Sequence, residues 1–157
     1  MNIRHSLVLF KEKSMFDTSH IHPMLVHFPI ALTLLGVLFS ALRLYKPDKF
    51  VYPCGEIILY FATVSAILAA TAGSLFTPDF TNPVLVQAKN SHSTFAGITM
   101  TFLCIASVFY FGRHFLKKYE SVLHKAGFLF YALAAISVAI TGFLGGVIVY
   151  NDLLKIH

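Results

Sequence analysis

Charged side chains are scarce in this chain. Only 12% of its 157 residues are Asp, Glu, Lys or Arg, against about 25% in a typical soluble domain. Seven residues are acidic, and no paired carboxylates, Ser-His-Asp arrangement, HExxH motif or glycine-rich phosphate loop accompanies them. The arrangements of side chains that usually carry out catalysis are therefore missing, and we expect no stand-alone enzyme.

Cysteine is also rare, since the chain contains only Cys54 and Cys104. No Cys-x-x-Cys-His motif is present, which excludes covalent attachment of a c-type haem. Cys54 lies near a predicted membrane surface, whereas Cys104 lies in the middle of an apolar run. The sequence therefore predicts two structural thiols that no disulfide joins.

Long uncharged runs dominate what is present, and 57% of the residues are hydrophobic. A helix needs about 20 apolar residues to cross a bilayer. Four runs reach that length, at residues 23–42, 57–76, 93–112 and 126–150. The connections between them are too short for a separate domain. The fold class predicted is all-α, an integral membrane four-helix bundle formed by residues 19–157.

The first 18 residues precede this domain, and we interpret them as a leader or a disordered segment. A secretory signal peptide has a short apolar core near the N-terminus. The first long run here begins only at residue 23 and is too long for such a core. Either Met1 or Met15 is the natural start, and the sequence leaves that choice open.

Basic residues are divided unequally among the connections, and this predicts the orientation of the bundle. The first and third connections carry seven Lys and Arg residues, and the second connection and the C-terminal tail carry two. We therefore expect an up-down-up-down bundle in the bacterial cytoplasmic membrane, with both termini on the outer (periplasmic) side. The net charge of +5 then reflects this topology and contact with lipid headgroups, not nucleic acid.

Histidines stand at the predicted outer ends of the first and third runs. His27 lies about one turn inside the first run, between Pro23 and Pro29, and His22 lies at its edge. His92 immediately precedes the third run. Ionisable residues are costly in hydrocarbon, so a histidine at this depth indicates a functional site. His27 and His92 are the first pair of candidate ligands, with His22 as the alternative to His27.

Depth along the helices does not decide between these alternatives. His27 is 16 residues from Arg43, whereas His92 is 21 residues from Arg113, a mismatch of about 7.5 Å at 1.5 Å per residue. By the same count, His22 is level with His92. Neighbouring Asn90 and Ser91 resemble capping residues, so His92 has a second interpretation as the cap of a helix that opens near residue 93.

Small residues recur along the second and fourth runs, which is typical of closely packed membrane helices. The stripe on the second run comprises Ala62, Ala66, Ala69 and Gly73. The stripe on the fourth run comprises Ala132, Ala135, Ala139, Gly142 and Gly146. The glycines of the second and fourth runs lie in the predicted outer half, level with the histidines. Glycine lets a flat ligand approach the backbone. Gly73, Gly142 and Gly146 are therefore candidate contacts of a cofactor. Each predicted hairpin has a histidine at its outer start and glycine at its outer end, which indicates a weak internal duplication.

The remaining histidines have simpler interpretations. His20 is expected in solvent. His114 and His124 flank the third connection among lysines, which favours a solvated basic loop over a second cofactor site.

Two motifs carry a family resemblance. Residues 22–30 read HPMLVHFPI and match H-P-x-x-V-H-F-P-I, while residues 145–150 match G-G-x-x-V-Y, and His92 opens the third run. Over residues 19–151 the chain resembles the bacterial membrane family catalogued as domain of unknown function 2231. That family is grouped with cytochrome b-like four-helix membrane proteins, some of whose relatives are joined to cytochrome c or Rieske domains. The resemblance implies redox work at the membrane, with partners of those kinds.

Three hypotheses follow. The first is a b-type haem protein that relays electrons in a respiratory chain, with His27 and His92, or His22 in place of His27, as axial ligands of the haem iron and quinol as a donor. The second is a protein that binds Cu or Zn through the imidazoles of the outer histidines, which are His20, His22, His27 and His92. The third is a non-catalytic membrane subunit or scaffold of a larger complex, whose small-residue faces bind partner helices.

Overall fold

The computed structural model of the protein describes residues 21–45, 51–77 and 80–153. The predicted leader lies outside these residues. The described part of the chain is helical and contains no strand, which confirms the all-α prediction. Its helices are α1 (Ile21–Leu25), α2 (His27–Tyr45), α3 (Val51–Phe76), α4 (Pro83–Phe115) and α5 (Glu120–Leu153), with a single 3-10 turn at Lys117–Tyr119 before α5.

Four helical segments are long and apolar enough to cross a membrane, and they correspond to the four predicted runs. The first segment combines α1 and α2, and the others are α3, α4 and α5. Their outward surfaces carry large apolar side chains, such as Val108 and Phe143, which are 70% and 72% exposed. Apolar exposure on this scale is stable only against lipid or other apolar surfaces. The chain is therefore a multi-pass membrane protein.

The helices form a closed ring in which α2 packs on α3, α3 on α4, α4 on α5 and α5 on α2. Short connections make consecutive helices antiparallel, so the bundle runs up-down-up-down. The central core combines small and large side chains that are almost fully buried. Its members are Leu59, Ala62, Ala66, Leu103, Ala106, Tyr110, Tyr131 and Ala134. Which face of the membrane holds the termini stays a prediction.

A break at Val26 separates α1 from α2. Pro29 has no backbone N–H and cannot donate to the carbonyl of Leu25, which interrupts the helical ladder at this point. The chain continues through hydrogen bonds from Val26 N to the His22 carbonyl, 3.1 Å, and from Ile30 N to the Val26 carbonyl, 3.4 Å. The first span is thus a five-residue helix followed by a 19-residue helix.

The third span begins ten residues earlier than the sequence predicts. Asn82 caps α4 by accepting a hydrogen bond from Val84 N, 2.9 Å, and Pro83 occupies the first turn. His92 therefore lies about 13.5 Å inside the helix at 1.5 Å per residue, and it is not a cap. The predicted helix start near residue 93 was wrong because the helix begins before the apolar segment. Asn90, which resembled a capping residue, lies within its first turns.

The inward face of α5 also differs from the predicted stripe. Tyr131, Ala134, Ser137, Val138 and Thr141 are buried, whereas Ala139 is exposed. Small apolar residues can face lipid or a helix, but buried hydroxyls and a tyrosine need partners inside the bundle. The alanine stripe of α3 was predicted correctly, since Ala62, Ala66 and Ala69 are buried. Cys54 and Cys104 are not joined by a disulfide, as predicted.

Candidate functional site

His22 contributes the first side chain of the candidate site. It lies in α1, and its Nδ1 donates a hydrogen bond to the backbone carbonyl of Ala69 on α3, 3.0 Å. One turn further along α3, Gly73 leaves room for the imidazole. A methyl group at Gly73 would lie 2.8 Å from Cε1 of His22, closer than such atoms approach. The ring therefore rests directly against the backbone of α3.

His92 contributes the second side chain and makes the same arrangement in the other half of the bundle. It lies in α4, and its Nδ1 donates to the backbone carbonyl of Thr141 on α5, 3.0 Å. Gly145, one turn further along α5, faces the imidazole. A methyl group at Gly145 would lie 3.3 Å from Cε1 of His92.

The two arrangements form an internal repeat. The acceptor carbonyl follows the histidine by 47 residues in the first hairpin and by 49 residues in the second. In both hairpins a glycine follows the acceptor by four residues, at a position where an added methyl group would meet the imidazole. Each hairpin thus supplies one histidine in the same local setting. This matching geometry agrees with the internal duplication predicted from the sequence.

The two imidazoles meet between the hairpins. Their ring centroids are 6.1 Å apart, and the ring planes are inclined at 87°. Because each Nδ1 donates a proton to a carbonyl, each Nε2 carries a lone pair. Within the described residues no hydrogen bond engages either Nε2. A carbonyl that holds Nδ1–H is the usual outer partner of a histidine that binds metal through its other nitrogen.

The other predicted site residues lie apart from this pair. His27 is exposed, and its Nδ1 donates to the carbonyl of Pro23 on its own chain segment, 2.7 Å. A methyl group at Gly142 would contact Ile30 at 3.4 Å, and one at Gly146 would meet nothing within 4 Å. Of the predicted histidines, the structure thus brings together His22 and His92.

A hydroxyl cluster lies directly behind His92. The Thr99 hydroxyl is 2.8 Å from the Ser137 hydroxyl and 3.5 Å from that of Thr141. Ser137 also donates to the Phe95 carbonyl, 3.1 Å, and Thr141 donates to the Ser137 carbonyl, 2.9 Å. All three hydroxyl residues are buried. The cluster joins α4 to α5 next to the carbonyl that holds His92.

A second polar cluster, which sequence analysis missed, lies at the opposite end of the bundle. Glu56 on α3 forms a buried ion pair with Arg113 on α4, and both side chains are at most 9% exposed. Tyr60 and His114 donate to the other carboxylate oxygen, each at 2.7 Å. The sequence contains a signal for this ion pair, because Glu56 and Arg113 lie at the same predicted membrane surface on neighbouring helices.

His114 and His124 do not form the predicted loop, because both lie within helices. His114 is partly exposed and hydrogen-bonds Glu56, whereas His124 packs edge-on against the ring of Tyr110 with centroids 5.3 Å apart. The guanidinium of Arg113 lies over the same tyrosine ring at 5.3 Å. The loop prediction was wrong because both helices are longer than the uncharged runs. The helix α4 extends to Phe115, and α5 already begins at Glu120.

Few side chains that bind metal come together elsewhere. Within the described residues, no three or more His, Cys, Asp or Glu side chains are grouped so as to hold a metal ion. His20, which the copper or zinc hypothesis includes, lies outside those residues. The pair of His22 and His92 thus offers two nitrogen ligands.

The fold and the histidine pair define a class of small, four-span helical membrane proteins. The chain belongs to the family described as "Predicted membrane protein (DUF2231)", whose pattern matches residues 18–157. This confirms the resemblance noted from the motifs at residues 22–30 and 145–150. Neither a curated protein nor a solved structure shows significant similarity to the chain.

Proposed function

We propose that the protein binds a b-type haem between its two hairpins and relays electrons within the bacterial cytoplasmic membrane. His22 and His92 would hold the haem iron, so His22 takes the place first assigned to His27. The observation that carries the proposal is the pair of neighbouring imidazoles, with ring centroids 6.1 Å apart, each with Nδ1 bound to a carbonyl 3.0 Å away and Nε2 available.

The separation of the rings fits a single iron between them. Imidazole nitrogens bind first-row metals at about 2.0–2.1 Å, which places two ring centroids about 6 Å apart when the metal lies between the rings. The centroids here are 6.1 Å apart. An edge-to-face contact between rings without a metal has a similar separation, so detection of the bound metal itself distinguishes the two arrangements.

The number of protein ligands favours haem over a bare metal ion. A structural zinc site needs four protein ligands, and a catalytic one needs three. A porphyrin supplies four nitrogens of its own, so the protein has to add only two axial ligands. His22 and His92 supply this number. Cu or Zn is the second candidate, since imidazole also suits these metals.

The surrounding residues would hold the ligands and exclude water. Haem supplies one-electron chemistry when it is bound, and two axial histidines direct it to electron transfer. The carbonyls of Ala69 and Thr141 fix the tautomer and direction of each imidazole. The donor that fits a site in the outer half of the membrane is a lipid-soluble quinol, and a cytochrome c or Rieske-type protein is the corresponding acceptor.

Absorption spectroscopy of the purified protein tests the proposal. We expect one haem b per chain by pyridine haemochrome analysis, and a sharp α-band in the reduced-minus-oxidised spectrum. Replacing His22 or His92 with alanine should abolish this low-spin spectrum. His27→Ala is the matched control, because it removes an exposed histidine five residues from His22, and it should keep the spectrum.

Other outcomes would overturn the proposal in favour of a different hypothesis. A protein that stays free of haem after haem supplementation does not have this function. One Cu or Zn per chain, lost in both His22→Ala and His92→Ala, would support the metal-binding hypothesis. Copurification in a larger complex that functions equally well with both variants would support a scaffold.

A further inference from the structure

His92 is held rigidly by its surroundings. It lies inside α4, a continuous helix of 33 residues, with ordered helix on both sides. The carbonyl that holds its Nδ1 belongs to Thr141, whose hydroxyl takes part in the buried cluster with Thr99 and Ser137. Moving the backbone that carries His92 would separate α4 from α5, and that would break the hydrogen bonds of this cluster.

The backbone segment that carries His22 is held less firmly. It lies in α1, which is five residues long and is separated from α2 by the break at Val26. A side-chain hydrogen bond to the Ala69 carbonyl ties the ring of His22 to α3, as the bond to the Thr141 carbonyl ties the ring of His92 to α5. Ala69 has no hydroxyl, so the acceptor residue of His22 cannot take part in a cluster like the one behind His92. A five-residue helix that ends at a break opens at a lower free energy than a continuous helix of 33 residues.

We propose that His22 is a displaceable ligand and His92 a permanent one, so that the site also binds a small neutral donor such as carbon monoxide on the side of His22. This inference rests on the proposed haem. The exchange breaks the dative bond from His22 Nε2 and forms one from the incoming donor, with no change in electron count. The protein is then a binder of diatomic ligands as well as an electron relay.

The two glycines of the repeat offer a steric test that leaves both histidines in place. In Gly73→Ala, the added methyl group would lie 2.8 Å from Cε1 of His22, so the imidazole must move away. In Gly145→Ala, the corresponding distance to His92 is 3.3 Å, which a shift of a few tenths of an ångström relieves. Gly73→Ala should therefore weaken the bond from His22, and Gly145→Ala is its matched control.

Carbon monoxide binding to the purified, reduced protein is the first measurement. We expect the wild type to bind carbon monoxide slowly, at a rate limited by release of His22. Gly73→Ala should bind it at least about tenfold faster, whereas Gly145→Ala should bind at the rate of the wild type. His22→Ala should retain a five-coordinate, high-spin haem, and His92→Ala should lose the haem.

Hydrogen exchange of the haem-free protein in detergent provides a readout that is independent of the cofactor. The amides of α1 should exchange at least about tenfold faster than those of α4 around His92. Equal protection of the two segments would overturn the inference. So would a wild type with the bis-histidine spectrum that never binds carbon monoxide, or haem retention in His92→Ala but not in His22→Ala. A wild type without haem would instead overturn the proposed function on which the inference rests.

Discussion

The imidazole of His22 stands edge-on to that of His92, with 6.1 Å between ring centroids and 87° between ring planes. The two residues are 70 positions apart in the chain and belong to different hairpins. Their contact joins the hairpins at one end of the bundle, and the ion pair between Glu56 and Arg113 joins them at the other end. A ligand between the histidines would therefore link two halves that the protein already connects at the far end.

The buried ion pair should contribute strongly to stability. Arg113→Ala leaves the Glu56 carboxylate without its charged partner, and breaking a buried pair in this way costs about 3–5 kcal/mol. We expect a large decrease in the thermal unfolding temperature of the detergent-solubilised protein. Lys117→Ala is the matched control, since Lys117 is exposed four residues further along the chain.

A double variant distinguishes the loss of the pair from damage to packing. Glu56→Gln combined with Arg113→Met removes both charges and keeps most of the volume. Replacing a buried pair by neutral groups is often close to neutral in free energy. The double variant should therefore be more stable than Arg113→Ala. If both unfold at the same temperature, the stability of this region does not depend on the unpaired charge.

Gly36→Ala should destabilise the bundle through a steric clash between α2 and α5. An added methyl group would overlap the hydroxyl of Tyr131 and lie 2.8 Å from Cγ2 of Ile58. Overpacking of a core costs about 1–3 kcal/mol. Thermal unfolding in detergent measures the effect. Gly97→Ala is the control, because a methyl group there would meet nothing within 4 Å.

A compensating change identifies the clashing group. Tyr131→Phe removes the hydroxyl that approaches Gly36, so it should restore part of the stability lost in Gly36→Ala. Unfolding of Gly36→Ala at the temperature of Gly97→Ala would show that α2 and α5 are less closely packed than the structure indicates.

The distribution of basic residues predicts that both termini lie outside. Single cysteines test this prediction in a protein whose Cys54 and Cys104 are replaced by alanine. In intact cells, a membrane-impermeant maleimide should label Thr81→Cys, in the connection with few basic residues. Tyr119→Cys lies in the basic connection and should react only after the membrane is opened. The reverse pattern of labelling would show that the bundle has the opposite orientation.

Much of the fold could be predicted from the pattern of uncharged runs along the sequence. Four uncharged runs long enough to span a bilayer have one favourable arrangement, in which all backbone groups are hydrogen-bonded within helices. Helix ends were harder to predict, because residues such as Asn90 and Glu120 continue the helices beyond the apolar segments. Hydropathy reports where lipid covers a helix, whereas hydrogen bonding and capping decide where the helix begins and ends.

The sequence by itself thus determined four membrane spans and identified His22, His27 and His92 as ionisable groups that need an explanation. It could not decide which histidines meet, because side-chain direction depends on the break at Val26 and on the start of α4 at Pro83. The tertiary structure brings His22 and His92 together and leaves His27 exposed. It also paired Glu56 with Arg113, since such contacts depend on the rotation of each helix about its axis, and packing against neighbouring helices sets that rotation.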